Sequence, residues 1–73
     1  MNTYYVYSFK CADGSLHTSL TRHLAERLQE HHQGKRARTK NRRPLELIYC
    51  TKFNSISDAI RSELLLKTKL QLI

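Results

Sequence analysis

Between Lys35 and Arg43 the chain reads KRARTKNRR, nine residues with six cations, no acid and no large apolar side chain. A stretch of this kind cannot line a core, because unpaired Lys and Arg are almost never fully buried. It is therefore expected on the surface, and the apolar residues lie on either side of it. The chain has 73 residues, and a domain of that size buries only about 60% of the surface its unfolded form exposes. One small domain spanning residues 1–73 is therefore expected. A two-domain enzyme, a Rossmann unit with a partner domain and a barrel enzyme are excluded. Hydrophobic residues at 40% and charged residues at 26% place the chain among ordinary globular proteins.

In the first block, Tyr4 to Lys10 is rich in aromatic and β-branched residues and predicts a strand. Ala12-Asp13-Gly14-Ser15 is a turn signal, with Gly14 free to take positive φ. Leu16 to Thr21 then alternates weakly, as the return strand of a hairpin. A helix follows over Arg22 to His32, with Leu24 and Leu28 on one face beside Ala25, and Gly34 is placed to end it in a left-handed conformation. After the basic run and Pro44, Leu45 to Cys50 reads as a third strand. The last element is a helix capped by Ser55 or Ser57. Ser55 with Asp58 resembles a capping box, and Ile56, Ala59, Ile60, Leu64 and Leu66 form its expected apolar face. The order β-β-α-β-α defines an α+β domain with one small three-stranded antiparallel sheet flanked by helices.

Lys plus Arg number 13 against 6 acids, a formal charge of +7. Outside the basic run there are seven cations and six acids, so the basicity is local. A polyanionic partner is expected, nucleic acid before an acidic membrane surface. No apolar run approaches the ~18 residues a membrane-spanning helix needs, and MNTYYVYSFK lacks the pattern of a secretory signal. Cys11 and Cys50 lack CxxC spacing and are expected as small, reduced, buried side chains in a cytoplasmic protein. The histidines His17, His23, His31 and His32 have none of the usual zinc-ligand spacings with them.

Three groupings have chemical potential. Lys35, Arg36, Arg38, Lys40, Arg42 and Arg43 make a flexible phosphate-contacting loop, which would position the protein on nucleic acid without reading sequence; the alternative is a solvated, solubilising loop. Arg27 and His31, one helical turn apart, point the same way. They suit phosphate grip and proton movement, or simply a solvated face. Glu63 falls beside Ile60 and Leu64, where a carboxylate is costly unless paired or bound to a cation. It is either one partner of a salt bridge to Arg27, Lys67 or the loop, or a single Mg²⁺ ligand completed by waters and phosphate oxygens. Tyr4, Tyr5 and Tyr7 are packing residues on β-propensity alone.

Taken in order, Tyr5-Val6-Tyr7, Leu16-His17-Thr18-Ser19-Leu20-Thr21, Arg27-x3-His31 and Arg61-Ser62-Glu63 resemble the GIY-YIG nuclease domain. The ADGSL turn, the TSLT strand end and the LxxRLxEH helix are similar to its small stand-alone bacterial members. The likeness covers about residues 4 to 70. It implies a phosphodiesterase acting on DNA with a single divalent ion, Mg²⁺ or Mn²⁺. By the same resemblance Tyr7 takes the place of the tyrosine that helps activate the attacking water. Arg27 matches the arginine that clamps the scissile phosphate, His31 the accompanying histidine, and Glu63 the metal-binding glutamate. An oriented water, a Lewis acid and a cation at the phosphate are what this hydrolysis demands.

The second motif departs from the family pattern at two places. His17 stands where tyrosine is usual; a neutral imidazole also accepts a proton. Ser19 stands where glycine is usual and adds a β-carbon where the backbone approaches substrate. The expectation is thus a metal-dependent DNA endonuclease linked to repair or recombination, acting on structured or branched DNA, with no membrane and no small-molecule cofactor involved. A nucleic-acid-binding module on the same fold that has lost catalysis is the alternative. A third reading is a protein-interaction domain whose basic loop meets an acidic partner.

Overall fold

The structure is a computed structural model describing residues 2–71, so the outermost residues of the expected 1–73 domain lie outside the described residues. Strands β1 (Tyr4–Cys11) and β2 (Leu16–Thr21) are followed by helix α1 (Leu24–His32), a short 3-10 turn at Lys40–Arg42, strand β3 (Leu45–Phe53) and helix α2 (Ile56–Gln71). The sheet is antiparallel with order β2-β1-β3. This is the α+β, β-β-α-β-α arrangement that the sequence predicts.

The hairpin closes where the turn residues demand it. Gly14 has φ +85°, and Asp13 Oδ1 accepts from the Ser15 amide at 2.9 Å and the Ser15 hydroxyl at 2.6 Å, a side-chain mimic of a backbone turn. The register runs from Tyr5 opposite Thr21 to Lys10 opposite Leu16. On the other side of β1, Ser8 faces Tyr49 but Phe9 faces Leu47. Ile48 is therefore an extra residue, a β-bulge in β3.

Alternation along β1 separates two faces. Tyr7, Phe9 and Cys11 join Leu45 in a buried cluster against which Leu24 and Leu28 of α1 pack. Val6 and Ser8 point the other way and are fully buried beneath α2, which packs on all three strands. There the Ser8 hydroxyl bonds the Thr18 hydroxyl at 2.8 Å. Among the described residues no helix is long and apolar enough to cross a membrane.

Several boundaries and faces differ from expectation. Helix α1 begins at Leu24 rather than Arg22, with His23 at its N-cap, because Thr21 Oγ1 accepts the His23 amide at 3.0 Å and holds the chain in a turn after β2. Strand β3 continues past Cys50 to Phe53, since Thr51, Lys52 and Phe53 still pair with Val6, Tyr5 and Tyr4. Cys11 is buried as expected, but Cys50 is exposed on the edge strand.

The largest correction concerns α2. Ser55 caps it, its Oγ accepting the Asp58 amide at 3.4 Å. The helix does not, however, dock through Ile60 and Leu64, which are 45% and 57% exposed. It docks through Ala59, fully buried, and half-buried Leu66, both on the expected face, together with half-buried Ser62 and Glu63. Ala59 lets the helix backbone approach the sheet closely, and Ile60 is then turned about 100° away. A spacing of four residues links Ile56, Ile60 and Leu64 as well as it links Ala59, Glu63 and Lys67, so periodicity alone does not choose between them.

The basic run contains hydrogen-bonded turns. Gly34, at φ +79°, ends α1 as expected. Arg36 O then accepts the Thr39 and Lys40 amides at 3.2 and 2.9 Å, and Arg42 O accepts the Ala12 amide at 2.8 Å, which ties the loop to the hairpin turn.

Candidate active site

Cross-strand partners share a face of the sheet, so pairing of Tyr7 with Ser19 and Phe9 with His17 brings all four side chains to the α1 side. Helix α1 packs there through Leu24 and Leu28, and the next residue of the same stripe is His31, itself buried. Its Nε2 lies 3.0 Å from Tyr7 Oη and its Nδ1 lies 2.7 Å from Thr39 Oγ1. The His31 ring stands edge-on to Phe9 and tilted against His17, each with a 5.1 Å centroid separation. Tyr7 and His31, two polar rings, are thus fixed by packing and by hydrogen bonds together.

The surroundings bias proton positions. Burial pushes the Tyr7 phenol above its ordinary range, with the Ser19 hydroxyl and then Arg27 and Arg36 opposing that only in part. Burial, then the neighbouring His17, Arg36 and Arg27, holds His31 down at about 4. Burial and the cations Arg38, Lys67, Arg42 and Arg36 also depress His17. At neutral pH both imidazoles are uncharged and able to accept a proton.

Tyr7, His17, Ser19 and His31 form the floor of a cavity of about 540 Å³ whose walls include Lys35, Arg36, Arg38 and Lys67. Of the six cations of the basic run, three reach this cavity. The other three lie outside it. Arg42 turns to Asp13 at 3.9 Å, Arg43 donates to the carbonyls of Lys40 and His32, and Lys40 belongs to the 3-10 turn. The loop folds back on itself around buried Thr39, so three of the six expected phosphate-contacting cations are gathered at this cavity and three lie outside it.

Arg27 does not line the cavity. It pairs with Glu30 at 3.2 Å, and Glu30 also receives Arg36 at 3.7 Å, so one carboxylate links the helix arginine to the cavity wall. Glu63 does not line it either; its side chain is 18% exposed and meets Lys67 Nζ at 3.6 Å. Among the open salt-bridge partners for Glu63, Lys67 is the one found, and it is also the residue that connects Glu63 to the cavity.

Among the described residues no group of three or more His, Cys, Asp and Glu side chains is placed to hold a metal. A single carboxylate still suits a hard dication of the Mg²⁺ kind, which keeps several waters and takes one or two carboxylates plus phosphate oxygens. The Glu63 carboxylate is paired with Lys67, an ammonium that a dication bound there would displace or share. Thr39 and Lys67 were not legible as site residues. Thr39 is the one hydroxyl in a run of cations, and Lys67 is four residues from Glu63, a spacing common to any helical ion pair.

A buried tyrosine–histidine pair under a ring of cations, on a β-β-α-β-α frame, defines a small domain suited to phosphate-bearing ligands. The model of the GIY-YIG catalytic domain matches residues 3–72, and the chain belongs to the GIY-YIG family. This is a nuclease family, so a nucleic-acid substrate is implied. The chain is 45% identical over 69 residues to a UPF0213 protein of Staphylococcus haemolyticus, covering 93% of this chain and 84% of that one. It is 42% identical over 66 residues to a UPF0213 protein of Streptococcus agalactiae, covering 89% and 75%. The solution NMR structure of a UPF0213 protein from Bacillus halodurans matches with a TM-score of 0.59 at 34% identity, over 96% of this chain and 81% of that one.

Proposed function

We propose that this chain is a metal-dependent endonuclease that hydrolyses phosphodiester bonds in DNA, with structured or branched DNA of repair or recombination as its substrate. The single observation that carries this reading is the Tyr7 Oη to His31 Nε2 contact at 3.0 Å, buried beneath cations. Lys35, Arg36, Arg38 and Lys67 bind and orient the substrate's phosphates. Arg27, displaced from Glu30, stabilises the charge that develops on the scissile phosphate. As water attacks phosphorus and the P–O bond to the leaving oxygen breaks, the water proton passes to Tyr7 Oη while the phenol proton passes to His31 Nε2. Burial is the main cause of the depressed His31 basicity; a phosphodiester anion offsets the smaller part due to Arg36 and Arg27 and to that extent makes Nε2 a better acceptor. His17 holds its place on the floor as a second neutral acceptor. Glu63 would hold one Mg²⁺ or Mn²⁺ ion, which when bound supplies Lewis-acid stabilisation of the phosphoryl oxygens.

Incubation with nicked, flapped and branched DNA in Mg²⁺ or Mn²⁺ tests the reading. Cleavage by the wild type, reduced at least about 10²-fold in Tyr7→Phe and in Glu63→Ala, is the expected result. Undiminished metal-dependent cleavage by Glu63→Ala would sink it. A second reading, a binding module without catalysis, is favoured by Ser19, whose β-carbon sits directly across from Tyr7. Cleavage by a His17→Tyr/Ser19→Gly variant alone would select that reading.

A further inference from the structure

Thr39 differs from the loop that carries it. Arg38 and Lys40 on either side are exposed, yet Thr39 is 0% exposed and its hydroxyl oxygen meets Nδ1 of His31 at 2.7 Å. The ring is therefore engaged at both nitrogens, by Thr39 at one and Tyr7 at the other. A neutral imidazole carries one N–H, so the two hydrogen bonds are linked. Either Nδ1–H donates to Thr39 and Nε2 accepts from the phenol, or the hydroxyl donates to Nδ1 and Nε2–H donates to Tyr7.

We propose that Thr39 is a positioning residue that accepts the Nδ1–H of His31 and so fixes the tautomer whose bare Nε2 faces Tyr7 Oη. The inference rests on the nuclease reading of this site and extends it to a residue outside the motifs. Two observations support it. Tyr7 is kept in its protonated form by burial and has a proton to donate, and His31 Nε2 is within 3.0 Å to receive it. After that transfer the imidazolium still donates Nδ1–H to Thr39, so the hydrogen-bond direction at Thr39 does not have to invert during the reaction. The opposite arrangement would require the Thr39 hydroxyl to rotate away first. Thr39 also lies in the turn closed on Arg36 O, between the cavity-lining Arg36 and Arg38, so the segment that grips phosphate is the one that orients the histidine.

The test is the ring-nitrogen NMR spectrum of His31 in the full chain at neutral pH, beside cleavage kinetics. In the wild type and in Thr39→Ser, Nδ1 is expected to carry the proton and Nε2 to be bare. Thr39→Val is expected to move the population toward Nε2–H and to lower kcat about 10²-fold with KM unchanged, Thr39→Ser restoring both. An Nε2–H wild-type ring would overturn the proposal whether or not Thr39→Val folds, and so would a Thr39→Val ring with the wild-type tautomer. Absence of DNA cleavage by the wild type would remove the nuclease reading alone, since the ring spectrum decides the role of Thr39 independently.

Discussion

Arg42 Nε lies 3.9 Å from Asp13 Oδ2, and Arg42 Nη1 lies 3.5 Å from Ser15 Oγ. The hairpin turn thus holds one of the cations that sequence alone would place on a nucleic acid, and the basic run is partly a structural strap.

This division of labour has a thermodynamic signature. Four cations border the cavity, and if each meets one phosphate of duplex DNA, log K falls against log salt with a slope of about −3.6. Arg36→Ala and Arg38→Ala are each expected to reduce the slope by about 0.9, while Arg42→Ala leaves it unchanged. Fluorescence anisotropy of labelled DNA between low and physiological salt measures this. Equal effects of all three substitutions would show that Arg42 leaves Asp13 for the phosphate.

Helix α2 gives a stability prediction with unequal outcomes on its buried and exposed sides. Ala59→Val places extra carbon where the helix touches the sheet and is expected to cost about 1–3 kcal/mol. Leu64→Ser, on the exposed side, is expected to change stability by no more than about 0.5 kcal/mol. Urea unfolding of both variants checks which side of the helix is docked.

These contrasts show what could be read in the residues. Element order and strand pairing followed from local chemistry: aromatic and β-branched runs, the Asp13-Gly14 turn, the Gly34 stop and the Ser55 cap each act within a few residues. The facing of α2 did not, because it is settled by how closely Ala59 lets the helix approach the sheet, a tertiary quantity. The Tyr7–His31–His17 floor was legible only through family resemblance, since residues 24 apart in the chain meet there. Thr39 and Lys67 were illegible for the same reason: their importance lies in what they touch.

Stability is expected to rise with pH across the acid range. His31 protonates at about 4 in the folded chain against about 6.5 when unfolded. Between these values the unfolded state binds more protons, so folding is favoured as pH increases. The full contribution is present above pH 6.5 and is lost as pH falls toward 4. Its size is about 3 kcal/mol. Urea denaturation at pH 7 and pH 5 should show the loss, and His31→Gln should flatten it; a pH-independent midpoint in the wild type would count against a neutral buried imidazole.

Gly34 and Arg43 form a second clasp on the loop. A β-carbon at Gly34 would lie 2.7 Å from Arg43 Cζ, and the backbone has φ +79°. Gly34→Ala is expected to cost about 1 kcal/mol from the left-handed backbone, with a further loss as Arg43 is pushed off the His32 and Lys40 carbonyls. Adding Arg43→Ala removes the second part only. Thermal melts of the single and double variants separate the two.

The bulge at Ile48 has a consequence for how two copies of the chain meet. Glu46 and Lys52 are six residues apart, an even number that puts both on one face of a regular strand. Here Glu46 is opposite Lys10 and Lys52 is opposite Tyr5, which places them on opposite faces. A second β3 approaching antiparallel about a two-fold axis therefore cannot match Glu46 to Lys52 on both sides of Tyr49, although the letters of the strand invite that match. The slipped phase leaves the edge, with its exposed Leu47 and Ile48, a poor template for its own kind.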